Sequence, residues 1–169
     1  MANLENKRDR GRGGRPQSAR PKPEFDQKII DLRRVARVVA GGRRFNFSVA
    51  MIIGDRKGQV GVGTGKAGDT ASAIEKAIRD ARKNMFRLKL TKDFSIPHET
   101  RAKYSSARVF LRPAPGRGLI AGTALRNILD LGGVKDVNGK VLSSSKNKLN
   151  IARATLEALR QVAAVAVEK

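Results

Sequence analysis

The sequence predicts an α+β fold in two parts, on three observations. Glycine-punctuated loops at Gly41–Gly42 and Asp55–Gly58 separate three stretches that read as consecutive antiparallel strands. An amphipathic helix follows, from about Thr70 to Leu88. Beyond Pro97 the pattern changes to strand–helix–strand–helix, so the chain divides there into residues 24–97 and 98–169.

Each element has its own signal. Residues 1–23 carry almost no apolar side chain, so this Arg/Gly-rich tail is expected to be disordered and to meet RNA through charge and guanidinium stacking. Lys28–Val39 places Ile29, Ile30, Leu32, Val35, Val38 and Val39 among Arg33, Arg34 and Arg37, which fits a strand with one basic face or a short helix. Arg43–Ile53 is rich in aromatic and β-branched residues, with Phe45 and Phe47 expected in the core, and Gln59–Thr64 returns as the third strand. Asp69 or Thr70 caps the helix, with Ser72 and Glu75 as an alternative capping box. Its core stripe reads as Ile74, Ala77, Ile78, Ala81, Met85 and Leu88, with Arg79, Arg82 and Lys83 on the other side. Leu88–Tyr104 is a connection with a short strand at Arg87–Leu90 and a turn at Ile96–Pro97. Arg108–Arg112 is a strand stopped by Pro113 and Pro115. Gly116–Gly122 turns into a helix through Leu125, Ile128 and Leu129 that Gly132–Gly133 ends. Val134–Val137 reads as a short strand, and Asn150 as the cap of a last helix.

Charge narrows the partner. Lys and Arg number 36 against 15 Asp and Glu, a net +21. The excess is +5 over residues 1–23, +8 over 24–97 and +8 over 98–169, so no region is neutral. Such a surface repels itself unless a large polyanion neutralises it, and it is the footprint of nucleic-acid binding. Cysteine is absent, which excludes disulfides and thiolate metal sites. His98 is the only histidine and reads as a turn or surface residue. No apolar run approaches the ~18 residues of a membrane span, and no signal peptide is evident, so a soluble, cytoplasmic protein is expected. No cofactor or metal is expected.

The glycine comb Gly61, Gly63, Gly65, running into Lys66, poses the central question. Glycine within a strand is expected where something approaches the backbone closely, and in so basic a chain that object is expected to be a phosphate backbone. Gly63–Gly68 fits G-x-G-x-x-G, but in an antiparallel meander, and Asp93 is a poor match for the acid that motif requires. The Walker pattern fails at Val60 and Ala67. Pro115–Gly122 is similar to the phosphate loop of small-molecule kinases of the galactokinase and homoserine-kinase type, without an acidic metal ligand or base. The nucleic-acid reading uses more of the chain. Arg43, Arg44, Arg56 and Lys57 project from loops, Gly63, Gly65 and Lys66 form a strand open to a polynucleotide, and helix N–H groups at Thr70 face a phosphate.

Gly41-Gly42-Arg43-Arg44-Phe45-x-Phe47, Gly54-Asp55, Gly58 through Ala67 and Lys83-Asn84 resemble the bacterial small-subunit ribosomal protein five family. Val109-x-Leu111-x-Pro113-Ala114, Ile120-Ala121-Gly122, Arg126, Gly133-Val134-x-Asp136-Val137 and Asn150 through Thr155 agree, in order, over about residues 28–160. The resemblance implies a double-stranded-RNA-binding-like domain, then a two-layer α/β domain with a left-handed crossover. It implies a non-enzymatic constituent of the small ribosomal subunit that binds 16S rRNA beside the mRNA entrance channel. Contacts with ribosomal proteins four and eight, and support of assembly and decoding accuracy, are implied with it. The rRNA contacts expected are Gly41, Gly42, Arg43, Arg44, Phe45, Arg56, Lys57, Gly63, Gly65 and Lys66, then Arg117, Lys140, Ser144, Ser145, Lys146 and Asn147. Gly118 and Arg126 map to the protein-four contact. The chain departs from the family at Ala40, where a lysine is usual, in a Pro115–Gly118 turn one residue short, and at Thr123. It also departs in Ser143–Asn147, which lacks a glycine and gains Lys146. A free duplex-RNA-binding regulator and a nucleotide enzyme using Gly63–Gly68 are the alternatives.

Overall fold

The computed structural model describes residues 24–165; the Arg/Gly-rich tail lies outside the described residues. The first half is an antiparallel sheet in the order β1-β2-β3-β4. Its strands are β1 (Asp26–Val39), β2 (Gly42–Gly54), β3 (Gln59–Ala67) and the short β4 (Phe86–Arg87), with helix α1 (Thr70–Lys83) between β3 and β4. Val39 pairs with Gly42, so the first hairpin turns on Ala40 and Gly41 alone, and Gly42 takes a φ of +133° that a side chain rarely tolerates. In the second loop the Asp55 carboxylate accepts from the N–H groups of Lys57 and Gln59 at 2.7 and 2.8 Å, an Asx turn.

The glycine comb explains how α1 docks. A Cβ on Gly61 would lie 2.5 Å from the Ala81 carbonyl oxygen. One on Gly63 would lie 2.4 Å from that of Ala77, and one on Gly65 2.2 Å from that of Ala73. Two strand residues advance ~6.6 Å and four helix residues ~6 Å, so glycines at every second position meet alanines at every fourth. The buried face of α1 is accordingly Ala73, Ala77 and Ala81, while Ile74 and Ile78 are only half-buried. The expected stripe is thus rotated toward the smallest residues, because only they let two backbones come this close. The helix is also shorter than its pattern: Leu88 lies beyond it, donating its N–H to the Gly58 carbonyl at 2.6 Å.

The second half is a sheet in the order β5-β6-β8-β7, from β5 (Thr100–Tyr104), β6 (Ala107–Pro113), β7 (Leu119–Ala121) and β8 (Val137–Val141). Helix α2 (Thr123–Leu131) joins the parallel pair β7 and β8, and α3 (Lys148–Val165) ends the described chain. Three expectations about strands are corrected here. β5 occupies part of the expected connection, β7 lies inside the expected glycine-rich turn, and the strand placed at Val134–Val137 is at Val137–Val141. Val134 is buried in the loop before it, which is why its hydrophobicity misled. The cap of α3 is Asn147 rather than Asn150: its side-chain oxygen accepts from Leu149 N–H at 3.1 Å and Asn150 N–H at 3.5 Å.

Helices α2 and α3 lie between the two sheets, contacting β1, β2 and β3 on one side and β5, β6 and β7 on the other. One buried cluster therefore joins Ile30, Ala50, Ile52, Val60 and Val62 to Leu125, Ile128, Leu129 and Leu159. The layers run α1, first sheet, α2 with α3, second sheet. The outer face of the second sheet is left without a covering element among the described residues.

Candidate nucleic-acid interface

The stacked layers cover only the base of the β1–β2 hairpin. From Leu32 outward it projects as a two-stranded ribbon, with Leu32 50%, Phe45 46% and Val38 75% exposed. Phe45 is therefore not a core residue; Arg34 stacks on its ring at 4.5 Å, while Phe47, nearer the base, packs on the α1 cluster. The ribbon from Leu32 to Asn46 holds Arg33, Arg34, Arg37, Arg43 and Arg44 and no acid; Asp31, paired with Arg33, sits at its base. Register divides these charges between two faces, because directly opposed residues share a face. Arg34, Val38, Arg43 and Phe45 lie on the α1 side, and Arg33, Arg37 and Arg44 on the other. Arg37 and Arg44 are directly opposed, an unfavourable pair unless an anion sits on it. At the tip, a Cβ on Gly41 or Gly42 would meet nothing within 4 Å. There the backbone itself is approachable.

Lys66 extends the second face, since β2 Ser48 pairs with both Arg33 and Lys66. A groove of about 110 Å³ separates this face from the start of α3, lined by Asp31, Arg33, Ser48 and Thr64 on one side and Asn147 and Leu149 on the other. The loop before α3 therefore adjoins the ribbon. Within it, Ser145 bonds Ser106 at 3.1 Å and accepts from Asn147 N–H at 3.4 Å, and Asn147 caps the helix. Those two side chains build the loop, while Ser144 and Lys146 are exposed at its surface.

The remaining expected contacts fall elsewhere. Gly63 and Gly65 are buried under α1, so the comb admits a helix backbone and not a polynucleotide. Arg56 and Lys57 lie at the far end of β2, ~40 Å from the hairpin tip by the length of that strand. Arg56 has a φ of +56°, donates its N–H to the Leu131 carbonyl at 2.9 Å and pairs with Asp26 at 2.7 Å. Its loop seats the first half on the end of α2, where a Cβ on Gly54 would lie 2.2 Å from the Leu131 oxygen. Lys57 is exposed beside it. The N-terminus of α1 is occupied by the Asp69 carboxylate, which accepts from Ala71 N–H at 3.1 Å and opposes a phosphate there.

Arg117 belongs to a turn held by Gly118, whose N–H donates to Asp136 at 3.0 Å. With Arg112, Pro113, Ala114, Pro115 and Asn138 it lines an open groove of about 400 Å³. Arg126 is exposed on α2, and Lys140 lies on the uncovered face of the second sheet. Sequence reasoning missed the other charges of that face; alternation of basic and apolar residues along Thr100–Tyr104 was the available signal. Among the described residues no group of three or more acidic or His side chains gathers as a metal site, and no helix is long and apolar enough to cross a membrane.

Two family models match the chain: the N-terminal domain of ribosomal protein S5 over residues 25–89 and its C-terminal domain over 102–167. The small ribosomal subunit protein uS5 of Synechococcus elongatus is 47% identical over 137 residues, covering 80% of this chain and 76% of that protein. The uS5 protein of Thermosynechococcus vestitus is 43% identical over 145 residues, 85% of this chain and 83% of its own length. The uS5c protein of Spinacia oleracea is 44% identical over 155 residues. The match takes in 91% of this chain and half the length of that longer protein.

Proposed function

The chain belongs to the ribosomal protein S5 family, a family of structural proteins and not enzymes, and on that premise we propose that it binds 16S rRNA as a constituent of the small ribosomal subunit. The observation that carries the proposal is the projecting ribbon, with five arginines, no acid, and Arg37 directly opposite Arg44. Its tip offers bare backbone at Gly41 and Gly42. The charges reach phosphates on either side of the ribbon, and the open tip lets it enter a space too narrow for side chains. Lys66, Ser144 and Lys146 add to the same region. With Phe45 already stacked under Arg34, contact runs through the RNA backbone more than through bases.

The wider role follows from the family likeness and is part of the same proposal. It comprises cytoplasmic residence in the subunit, a place beside the mRNA entrance channel, and support of assembly and decoding accuracy. It also includes contact with ribosomal proteins four and eight, for which exposed Arg126 and the Gly118 turn are the candidate surface. The test is co-sedimentation. A tagged chain expressed in its host should travel with small subunits in moderate salt, and its absence from that fraction would refute the proposal.

A further inference from the structure

Strand β3 leaves most of one edge without a strand neighbour. On that side β4 pairs only with Gln59 and Val60. Thr64 turns its N–H away from β2, so Val62, Thr64 and Lys66 present their backbone groups along this edge. Such an edge is a template for pairing with another chain, and a strand with glycine at every second position specifies its register weakly. A row of side chains from α1 lies along it instead. Lys76, Asp80 and Asn84 recur at every fourth residue and share one flank of the helix. The Asp80 carboxylate accepts from Thr64 N–H at 2.8 Å, and Lys76 Nζ lies 3.5 Å from the Lys66 carbonyl oxygen. The Asn84 amide donates to the Asp80 carbonyl at 3.0 Å and stands 3.4 Å from its carboxylate. With Val62 it lines a pocket of about 200 Å³. Four helix residues advance ~6 Å and two strand residues ~6.6 Å, so the row keeps step with the edge as the alanines do with the glycines. Asp80 stands among Lys76, Arg79, Arg82 and Lys83, yet among the described residues it is in no ion pair. Its oxygen serves a backbone N–H.

We propose that the row formed by Lys76, Asp80 and Asn84 is a guard that stops the β3 edge of one copy from pairing with that of a second copy, so the chain stays single before it meets any partner. The inference is independent of the RNA-binding proposal. The chain excluded is a second copy because the open stretch is self-complementary. Antiparallel pairing about Thr64 sets Thr64 opposite Thr64 and Val62 opposite Lys66. Residues suited to strands then meet, and no like charges are opposed. Net charge alone does not suffice as a defence. A charge of +21 repels other copies at low salt, but the repulsion is screened within about 10 Å at ~0.1 M. The carboxylate acts at contact: a strand pairing at Thr64 would have to expel it from the N–H it occupies.

The experiment measures the mass of the full chain, free of RNA, by sedimentation over a concentration series at about 1 M salt, where charges are screened within ~3 Å. The parent should sediment as a single copy throughout. Asp80→Ala should approach twice that mass as concentration rises, with amide exchange at Val62 and Thr64 slowing in parallel. Asp80→Asn removes the same charge but keeps an oxygen for Thr64 N–H, and should stay single. Adding Thr64→Pro to Asp80→Ala takes away the N–H that a second copy would use, and should restore the single copy. If Asp80→Ala loses cooperative unfolding, Lys76→Ala opens the Lys66 end of the same edge and carries the comparison, with the same rise in mass expected. A folded Asp80→Ala, or Lys76→Ala in its place, that stays single at every concentration overturns the proposal. So does a parent that already pairs, an Asp80→Asn that pairs like the alanine variant, or pairing that survives Thr64→Pro.

Discussion

Arg37 and Arg44 face each other across the hairpin with no acid along the ribbon to separate their charges. Like charges so placed destabilise a strand pair, so their use lies outside the isolated protein. Arg44→Thr should leave stability within about 0.5 kcal/mol of the parent, or raise it, while lowering rRNA affinity. Urea unfolding beside filter binding checks both, and a clear stability loss would make Arg44 a structural residue. Gly63 is the opposite case. Gly63→Val drives a side chain into the Ala77 and Ala81 backbone and should cost about 3 kcal/mol or more, because neither backbone can yield cheaply. A stable Gly63→Val protein with weakened RNA binding would restore the phosphate-cradle reading. The period of the glycines was legible in the sequence, since it marks close approach by something. What approached was legible only beside Ala73, Ala77 and Ala81, whose spacing matches the comb.

Elements long enough to repeat their pattern were readable in order. The three antiparallel strands, α1 and the second-half helices follow from loops, caps and periodicity. Short ones were not. β7 has three residues, too few for alternation to stand out from a loop, and β5, although it alternates over five, depends like β7 on neighbours distant in sequence. The length of the first hairpin was visible as well, but not that its outer half lies beyond the layers and carries Phe45 into the open. Caps separate structure from contact within the expected site. Asn147→Ala should destabilise the protein by about 1 kcal/mol through loss of the α3 cap. Its rRNA affinity should stay near parental in a matched thermal melt and binding assay. A large fall in affinity without loss of stability would return Asn147 to the RNA surface.

At the scale of the molecule, the chain carries a net charge of +21, and its described residues form a stack whose centre is a single core. The first sheet is seated on the end of α2 through Gly54, Arg56 and Leu131, and α2 and α3 pack in turn on the second sheet. Charge density over the whole sequence pointed to a polyanion. It could not divide the expected contacts among separate surfaces, because that division depends on β2 being long enough to carry its two loops far apart. The central claim is that the bare hairpin tip, and not the glycine comb, enters the RNA. The chain has no cysteine, so Gly41→Cys creates a single attachment point for an iron chelate at a position with open space around it. In reconstituted small subunits, hydroxyl radicals generated there should cut 16S rRNA strongly within a few short segments. Uncut rRNA around a fully incorporated, labelled protein would contradict the account.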